Sequence, residues 1–195
     1  MTGITLHDYA RDVAAVIEKE GSGPALIGGH AFGNFVARAT ATDRPELVCG
    51  IALLAATHVW PLPANIRESI TKSGDPSLPD AERLKHLKHA FFAPGSDASV
   101  WLTGWYPEVK KAQRAATDTT PQAEWWQAGT APILDVQPES DVMITPETQS
   151  RYRDELGERV SIVRIPNAGH ALLPEQPEAV ARALLDFVKR IFPKT

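Results

Sequence analysis

Residues 28–36 read Gly-Gly-His-Ala-Phe-Gly-Asn-Phe-Val, and this stretch decides how the rest of the chain is interpreted. The apolar run just before it predicts a short buried strand, and the residues after Gly33 predict a helix. Gly29 and Gly33 stand two residues to either side of Ala31. A strand that turns sharply into a helix at such a pair of glycines presents the central residue at the tip of the turn. The sequence therefore predicts that Ala31 lies at the tip of a turn after a strand. Side chains at such a position are exposed and can be functional.

Gly29-His-Ala-Phe-Gly33 has the layout of a nucleophile elbow, G-x-S-x-G, with Ala31 in the place of the serine. From Thr5 to the C-terminus the chain resembles the α/β-hydrolase superfamily, in particular its esterase, lipase and C–C hydrolase branches. The resemblance implies an α/β fold in which a parallel sheet is flanked by helices. It also implies that Ala31 occupies the nucleophile position. Either a deliberate serine-to-alanine change or natural loss of the nucleophile would explain this residue.

The resemblance starts in the middle of the superfamily's fold, because only four residues precede Thr5. Members of the superfamily have several strands upstream, with a loop that donates one oxyanion-hole N–H; the residue after the nucleophile donates the other. We therefore expect a truncated α/β-hydrolase fold in which Phe32 is an oxyanion donor. The strand at residues 24–28 would then form a sheet edge, and such edges are usually paired or covered. This predicts a homodimer joined near that edge. A rearranged cap over the edge, or a chain that is one part of a longer or two-chain enzyme, are the other interpretations.

Residues 58–129 differ in character from the rest of the chain. Prolines and glycines separate short predicted helices there, and all five tryptophans fall in this segment. Strands and helices alternate on either side, which predicts one core built from residues 1–57 and 130–195. In the superfamily an insertion at this point forms a helical cap over the active site, so the resemblance implies that role for residues 58–129. The candidate substrate-binding tryptophans are Trp101, Trp105 and Trp125, although aromatic side chains could equally attach a helical layer to the core.

The resemblance also implies an acid and a base after the cap. His170 is the candidate base, because it follows the last predicted strand and a glycine in a loop. Asp141 is the candidate acid, in the loop after the preceding strand, and the order nucleophile, acid, base matches the superfamily. Glu139 competes with Asp141, because Pro138 stands where the superfamily commonly has a glycine.

The activity that this resemblance implies is that of a serine-type esterase acting on small carboxylic esters, present with Ala31 at the nucleophile position and without a cofactor. Two alternatives stay open. One is a non-catalytic small-molecule binder or dimeric protein derived from a hydrolase. The other is a metal-assisted ester or phosphotriester hydrolase, with the metal on His30, His170 and either Asp141 or Glu139. These residues lack a compact metal-ligand spacing, so we predict no metal site and treat His30 as a candidate substrate contact.

The composition limits the partners. The chain has 20 Lys and Arg against 24 Asp and Glu, without a basic run, which argues against a nucleic-acid partner. No apolar run is long enough to span a membrane, and no apolar segment opens the chain, so we expect a cytoplasmic protein without a membrane partner. Cys49 is the single cysteine, which excludes an intrachain disulfide.

Overall fold

The structure, a computed structural model, describes residues 3–21, 23–57 and 62–192. Its strands are β1 (Ala25–His30), β2 (Val48–Leu54), β3 (Ile133–Pro138) and β4 (Val160–Ile165). Its α-helices are α1 (Leu6–Glu20), α2 (Gly33–Asp43), α3 (Ala64–Ser73), α4 (Asp80–Ala90), α5 (Pro107–Thr119), α6 (Arg151–Leu156), α7 (Leu172–Glu175) and α8 (Pro177–Ile191). Short 3₁₀ turns lie at Pro45–Leu47, Ala98–Trp101, Gln122–Glu124 and Gly157–Arg159.

All four strands are parallel, in the order β1-β2-β3-β4. The register places Ile51 between Ile27 and Ile133, and Ile133 beside Val160. Parallel sheets are buried on both faces, so their central strands consist of continuous apolar residues, as β2 does. The predicted parallel sheet flanked by helices is confirmed.

Helices cover the two faces of the sheet with separate apolar cores. Ile51 and Leu53 of β2 pack with α1, α2 and α6 on one face. The alternate residues Ala52 and Leu54 pack with α7 and α8 on the other face. The strand period of two explains this division, because successive side chains point to opposite faces. Because the strands are parallel, their carboxyl ends all lie at the same edge of the sheet, between the two helical layers.

The α1 helix has well-defined ends. The Thr5 hydroxyl accepts from the N–H of Asp8, and the Asp8 carboxylate accepts from the N–H of Thr5, which forms a capping box. Gly21 ends the helix in the left-handed conformation, at φ 64°.

The segment between β2 and β3 holds α3, α4 and α5. Leu62, Ile66 and Leu87 form a third apolar cluster there, which also includes Met143 and Ala171 from the loops after β3 and β4. Residues 58–61 of this segment, with Trp60, lie outside the described residues. The division into a core and a cap remains a prediction. No helix in the described part of the chain has the length and apolar character needed to cross a membrane.

Among the described residues, β1 has a hydrogen-bonded neighbour on one side only, β2. The homodimer through this edge remains a prediction.

Candidate active site

The turn from β1 into α2 is sharp and strained at Ala31. This residue has a φ of +50°, which alanine rarely adopts. Its N–H donates to the carbonyl of Leu54 at the end of β2, 3.2 Å away. A Cβ on Gly29 would lie only 2.3 Å from the carbonyl oxygen of Gly33, so the strand and the helix approach too closely for any other residue at position 29. A Cβ on Gly33 would meet open space. The geometry of an elbow is therefore present with alanine at its tip.

The loops after β3 and β4 bring the candidate acid and base together. His170 Nδ1 lies 2.9 Å from Asp141 Oδ2, and their side chains are 5% and 0% exposed. Asp141 Oδ1 accepts from the backbone N–H of Met143 at 2.9 Å. Both carboxylate oxygens are thus engaged, which holds the acid in one orientation. An imidazole that donates its Nδ1 proton to a carboxylate keeps Nε2 as the basic nitrogen.

Glu139 lies elsewhere. Its side chain is exposed, and its backbone N–H donates to the carbonyl of Ile165 at 3.0 Å. The backbone N–H of the next residue, Ser140, donates to the carbonyl of Ala168 at 2.8 Å. The loop that carries Asp141 is therefore hydrogen-bonded to the loop that carries His170. Pro138 does not displace this loop, because it ends β3 in register with Ile165.

His30 contacts the candidate base His170 from the β1 side. Its Nε2 donates to the backbone carbonyl of His170 at 2.8 Å, and the two ring centroids are 5.1 Å apart. Burial, reinforced by the charge of His170, lowers the pKa of His30 to about 4. His30 is therefore neutral near pH 7, and it positions the loop that carries His170.

We expect the free energy of unfolding to decrease as the pH is lowered, because His30 takes up its proton less readily in the folded protein. The pKa of His30 is about 4 in the folded protein against 6.5 ordinarily. The unfolded chain therefore binds the proton more readily between these values. The contribution of His30 to the free energy of unfolding is fully present above about pH 6.5. It is lost progressively towards pH 4, by up to about 3 kcal/mol. A His30→Gln variant, whose amide can still donate to the His170 carbonyl, should lose less.

Urea unfolding at pH 7.5 and pH 4.5 tests this expectation. The unsubstituted chain with Ala31, called the native chain below, should lose more unfolding free energy between the two values than His30→Gln does. An equal loss in both proteins would show that other groups dominate the acid response.

Glu175 is a residue of the site that the sequence analysis missed. Its Oε2 accepts from the N–H of Gly169, beside the base, and its Oε1 accepts from the N–H of Ala93, each at 2.7 Å. Ala171 in turn donates to the carbonyl of Phe91 at 2.7 Å. Glu175 therefore joins the loop of the base to the loop after α4. No local pattern indicates this, because both partners are backbone groups and Ala93 is 82 residues away.

Replacing Glu175 by glutamine should lower the free energy of unfolding by about 1 to 3 kcal/mol. An amide offers only one acceptor oxygen, and its NH₂ would face a backbone N–H that it cannot satisfy. Urea denaturation measures the change. Glu139→Gln, the same substitution at an exposed position, is the matched control and should change stability little. Equal stabilities of the two variants would contradict the bridging role.

A cavity of about 690 Å³ opens over the elbow. Ala31, Phe32 and His170 line it, as do His30 and the candidate tryptophans Trp101 and Trp105. Phe32 is the N-cap of α2, where the first N–H groups have no intrahelical acceptor and can donate to an anion. The cavity thus brings Ala31, the candidate base His170 and the candidate oxyanion donor Phe32 to one space.

The remaining candidate tryptophan, Trp125, does not line this cavity. It is buried, its ring centroid lies 4.9 Å from that of Phe35, and the guanidinium of Arg38 lies 5.1 Å from it. It lines a neighbouring cavity of about 440 Å³ with Trp126. Trp125 therefore packs against α2 and is not placed at the elbow cavity as predicted. This agrees with the other interpretation, in which aromatic side chains attach a helical layer to the core.

In the described part of the chain, no group of three or more His, Cys, Asp and Glu side chains is arranged to hold a metal ion. The candidate ligands are engaged with each other instead: His30 Nε2 with the His170 carbonyl, and His170 Nδ1 with Asp141.

Known proteins share this architecture. The curated protein "Putative non-heme bromoperoxidase BpoC" of Mycobacterium tuberculosis is 27% identical over 199 residues, which cover 95% of this chain and 76% of that protein. The crystal structure of BpoC matches with a TM-score of 0.72 and 25% identity, over 98% of this chain and 76% of the other. A thermophilic esterase from Thermogutta terrifontis, determined with malate bound, matches with a TM-score of 0.74 and 19% identity, over 98% and 75% of the chains.

The model of the alpha/beta hydrolase family matches residues 2–183, which is most of the chain. This match establishes that the chain belongs to the alpha/beta hydrolase family, and the parallel sheet and the turn at Ala31 agree with it.

Proposed function

We propose that this protein is a hydrolase of the serine-esterase type for small carboxylic esters, in a form that carries Ala31 at the nucleophile position. One observation carries the proposal: the strained elbow residue Ala31 and the base of the His170–Asp141 pair line the same cavity. Acyl transfer needs a nucleophile and a base that face one bound carbonyl. The position of Ala31 beside the His170–Asp141 pair supports this arrangement, with a methyl group where the hydroxyl would stand.

Each residue has a defined role in this proposal. His170 Nε2 is the base, Asp141 holds the imidazole in the required tautomer, and the Phe32 N–H stabilises the oxyanion. Helices α3 to α5 act as the cap. Trp101 and Trp105 line the apolar part of the cavity and contact the acyl or alcohol group of the substrate. The size of the cavity suits a small ester rather than a polymer.

With Ala31, no acyl-enzyme can form, because a methyl group has no lone pair to attack the carbonyl. The same chain is therefore also a candidate for a non-catalytic binder of small esters. The intact hydrogen bonds of the acid and base beside an inert residue favour this second function.

Hydrolysis of p-nitrophenyl acetate and butyrate by the native chain and by Ala31→Ser, side by side, separates the two functions. We expect turnover in the serine variant and a background rate in the native chain. Saturable binding of the ester without turnover in either protein would favour the binder. Equal turnover in both would place the chemistry away from the elbow and contradict the proposal.

A further inference from the structure

The lysine and arginine side chains that line the elbow cavity have no acidic side chain among them in the lining. Among the described residues, its lining includes Arg67 from α3 and Lys110 and Arg114 from α5, but no Asp or Glu. The chain as a whole has a net charge of −4. A concave site that gathers cations in an acidic protein favours anionic ligands over neutral ones.

Lys110 is the cation of the lining that is best placed to bind an anion. It is partly buried, and its Nζ donates to the carbonyl of Ile70 at 2.9 Å, which connects α5 to α3. Lysine has three N–H donors, so the contact with Ile70 leaves further donors available. Among the described residues Lys110 forms no ion pair, and burial lowers the pKa of its ammonium group. A partly desolvated cation without a carboxylate beside it is stabilised when an anion enters the cavity.

The two arginines differ from Lys110. Arg114 is paired with Asp118 at 2.7 Å, and Arg67 is exposed. They add to the positive potential of the cavity, but they are less specific partners, because an exposed or already paired guanidinium gains little from a further anion.

We propose that the elbow cavity binds esters that carry a second, anionic group, a carboxylate, and that Lys110 is the partner of this carboxylate. The inference rests on the proposed function and specifies its substrate class. The ester carbonyl lies at Ala31 and His170, while the apolar chain of the ligand crosses the aromatic lining to Lys110. A purely structural Lys110, serving only to join α5 to α3, is the competing explanation.

Matched ligands and variants test the inference. The ligands are the monomethyl and dimethyl esters of succinic, glutaric, adipic and suberic acid, which differ within each pair only in one carboxylate. The native chain is used because Ala31 allows binding to be measured without turnover. Affinity is followed by tryptophan fluorescence, since Trp101 and Trp105 line the cavity. The variants are Lys110→Met, Lys110→Arg and the control Lys111→Met, an exposed neighbour outside the lining with the same loss of charge.

At the best chain length, the native protein should bind the monoester about tenfold or more tightly than the diester, as expected for a charge-assisted hydrogen bond. Lys110→Met should reduce this preference to within about twofold, whereas Lys110→Arg and Lys111→Met should keep most of it. A merely structural lysine would weaken both ligands equally and leave their ratio unchanged.

Equal affinities for monoester and diester in the native chain, or a preference that survives in Lys110→Met, would overturn the inference. If diesters still bind and Ala31→Ser hydrolyses p-nitrophenyl acetate, only the substrate class is wrong. If no ester of either kind binds and Ala31→Ser is also inert, both this inference and the proposed function are wrong.

Discussion

Ala31→Ser is expected to raise kcat for p-nitrophenyl butyrate by about a thousandfold to a millionfold over the native chain. The upper value is the loss measured when a catalytic triad loses its nucleophile. Each oxyanion donor contributes a further factor of about 100 to 1,000, and Phe32 is the one donor that we assign, so the lower value allows for a weaker oxyanion hole. The backbone already holds residue 31 at a φ of +50°, so the new hydroxyl needs no rearrangement of the elbow.

Two controls show whether the acceleration comes from the elbow. Ala55→Ser introduces the same hydroxyl just after β2, at an alanine that shares the positive φ (48°) but is fully buried and does not line the cavity. It should remain at the background rate. Ala31→Ser combined with His170→Gln should lose the gain, because the hydroxyl then has no base. A serine variant as slow as the native chain would contradict the proposed function.

The second large effect is expected at the acid. In the Ala31→Ser background, Asp141→Asn should lower kcat by about a thousandfold to ten-thousandfold, as in serine proteases. The asparagine amide can donate to His170 Nδ1, which moves the imidazole proton to Nε2 and removes the basic lone pair. Folding should be largely preserved, because the amide oxygen can still accept from the Met143 N–H.

Glu139→Gln in the same background is the matched control for this prediction. Glu139 is two residues away and exposed, and we expect its substitution to leave kcat within about twofold. Steady-state kinetics on p-nitrophenyl butyrate measure both variants. A large loss at Glu139 with little change at Asp141 would reverse our assignment of the acid.

The sequence alone was enough to predict the features that depend on neighbouring residues. Apolar runs separated by helical patterns predicted a parallel sheet with covered faces. The close spacing of Gly29 and Gly33 around Ala31 predicted the turn at the elbow. The requirement for glycine at position 29 follows from the next few residues of the same chain, since the clash would be with Gly33.

The choice between neighbouring candidates depended on the tertiary structure. Asp141 and Glu139 are equivalent by composition and nearly so by position, yet Asp141 faces His170 while Glu139 points to solvent. The turn after Pro138, held by backbone bonds to the β4 side, makes this difference. No residue pattern within the loop carries that information.

Only the tertiary structure decided which distant side chains meet. It placed Trp101 at the elbow cavity but Trp125 against Phe35, although both tryptophans lie in the same segment. It also joined Glu175 to Ala93 and brought Lys110 into the lining. Local propensities determine helices and strands because their hydrogen bonds are local. Which faces then meet is decided by the burial of apolar surface, a non-directional force that acts on the whole chain at once.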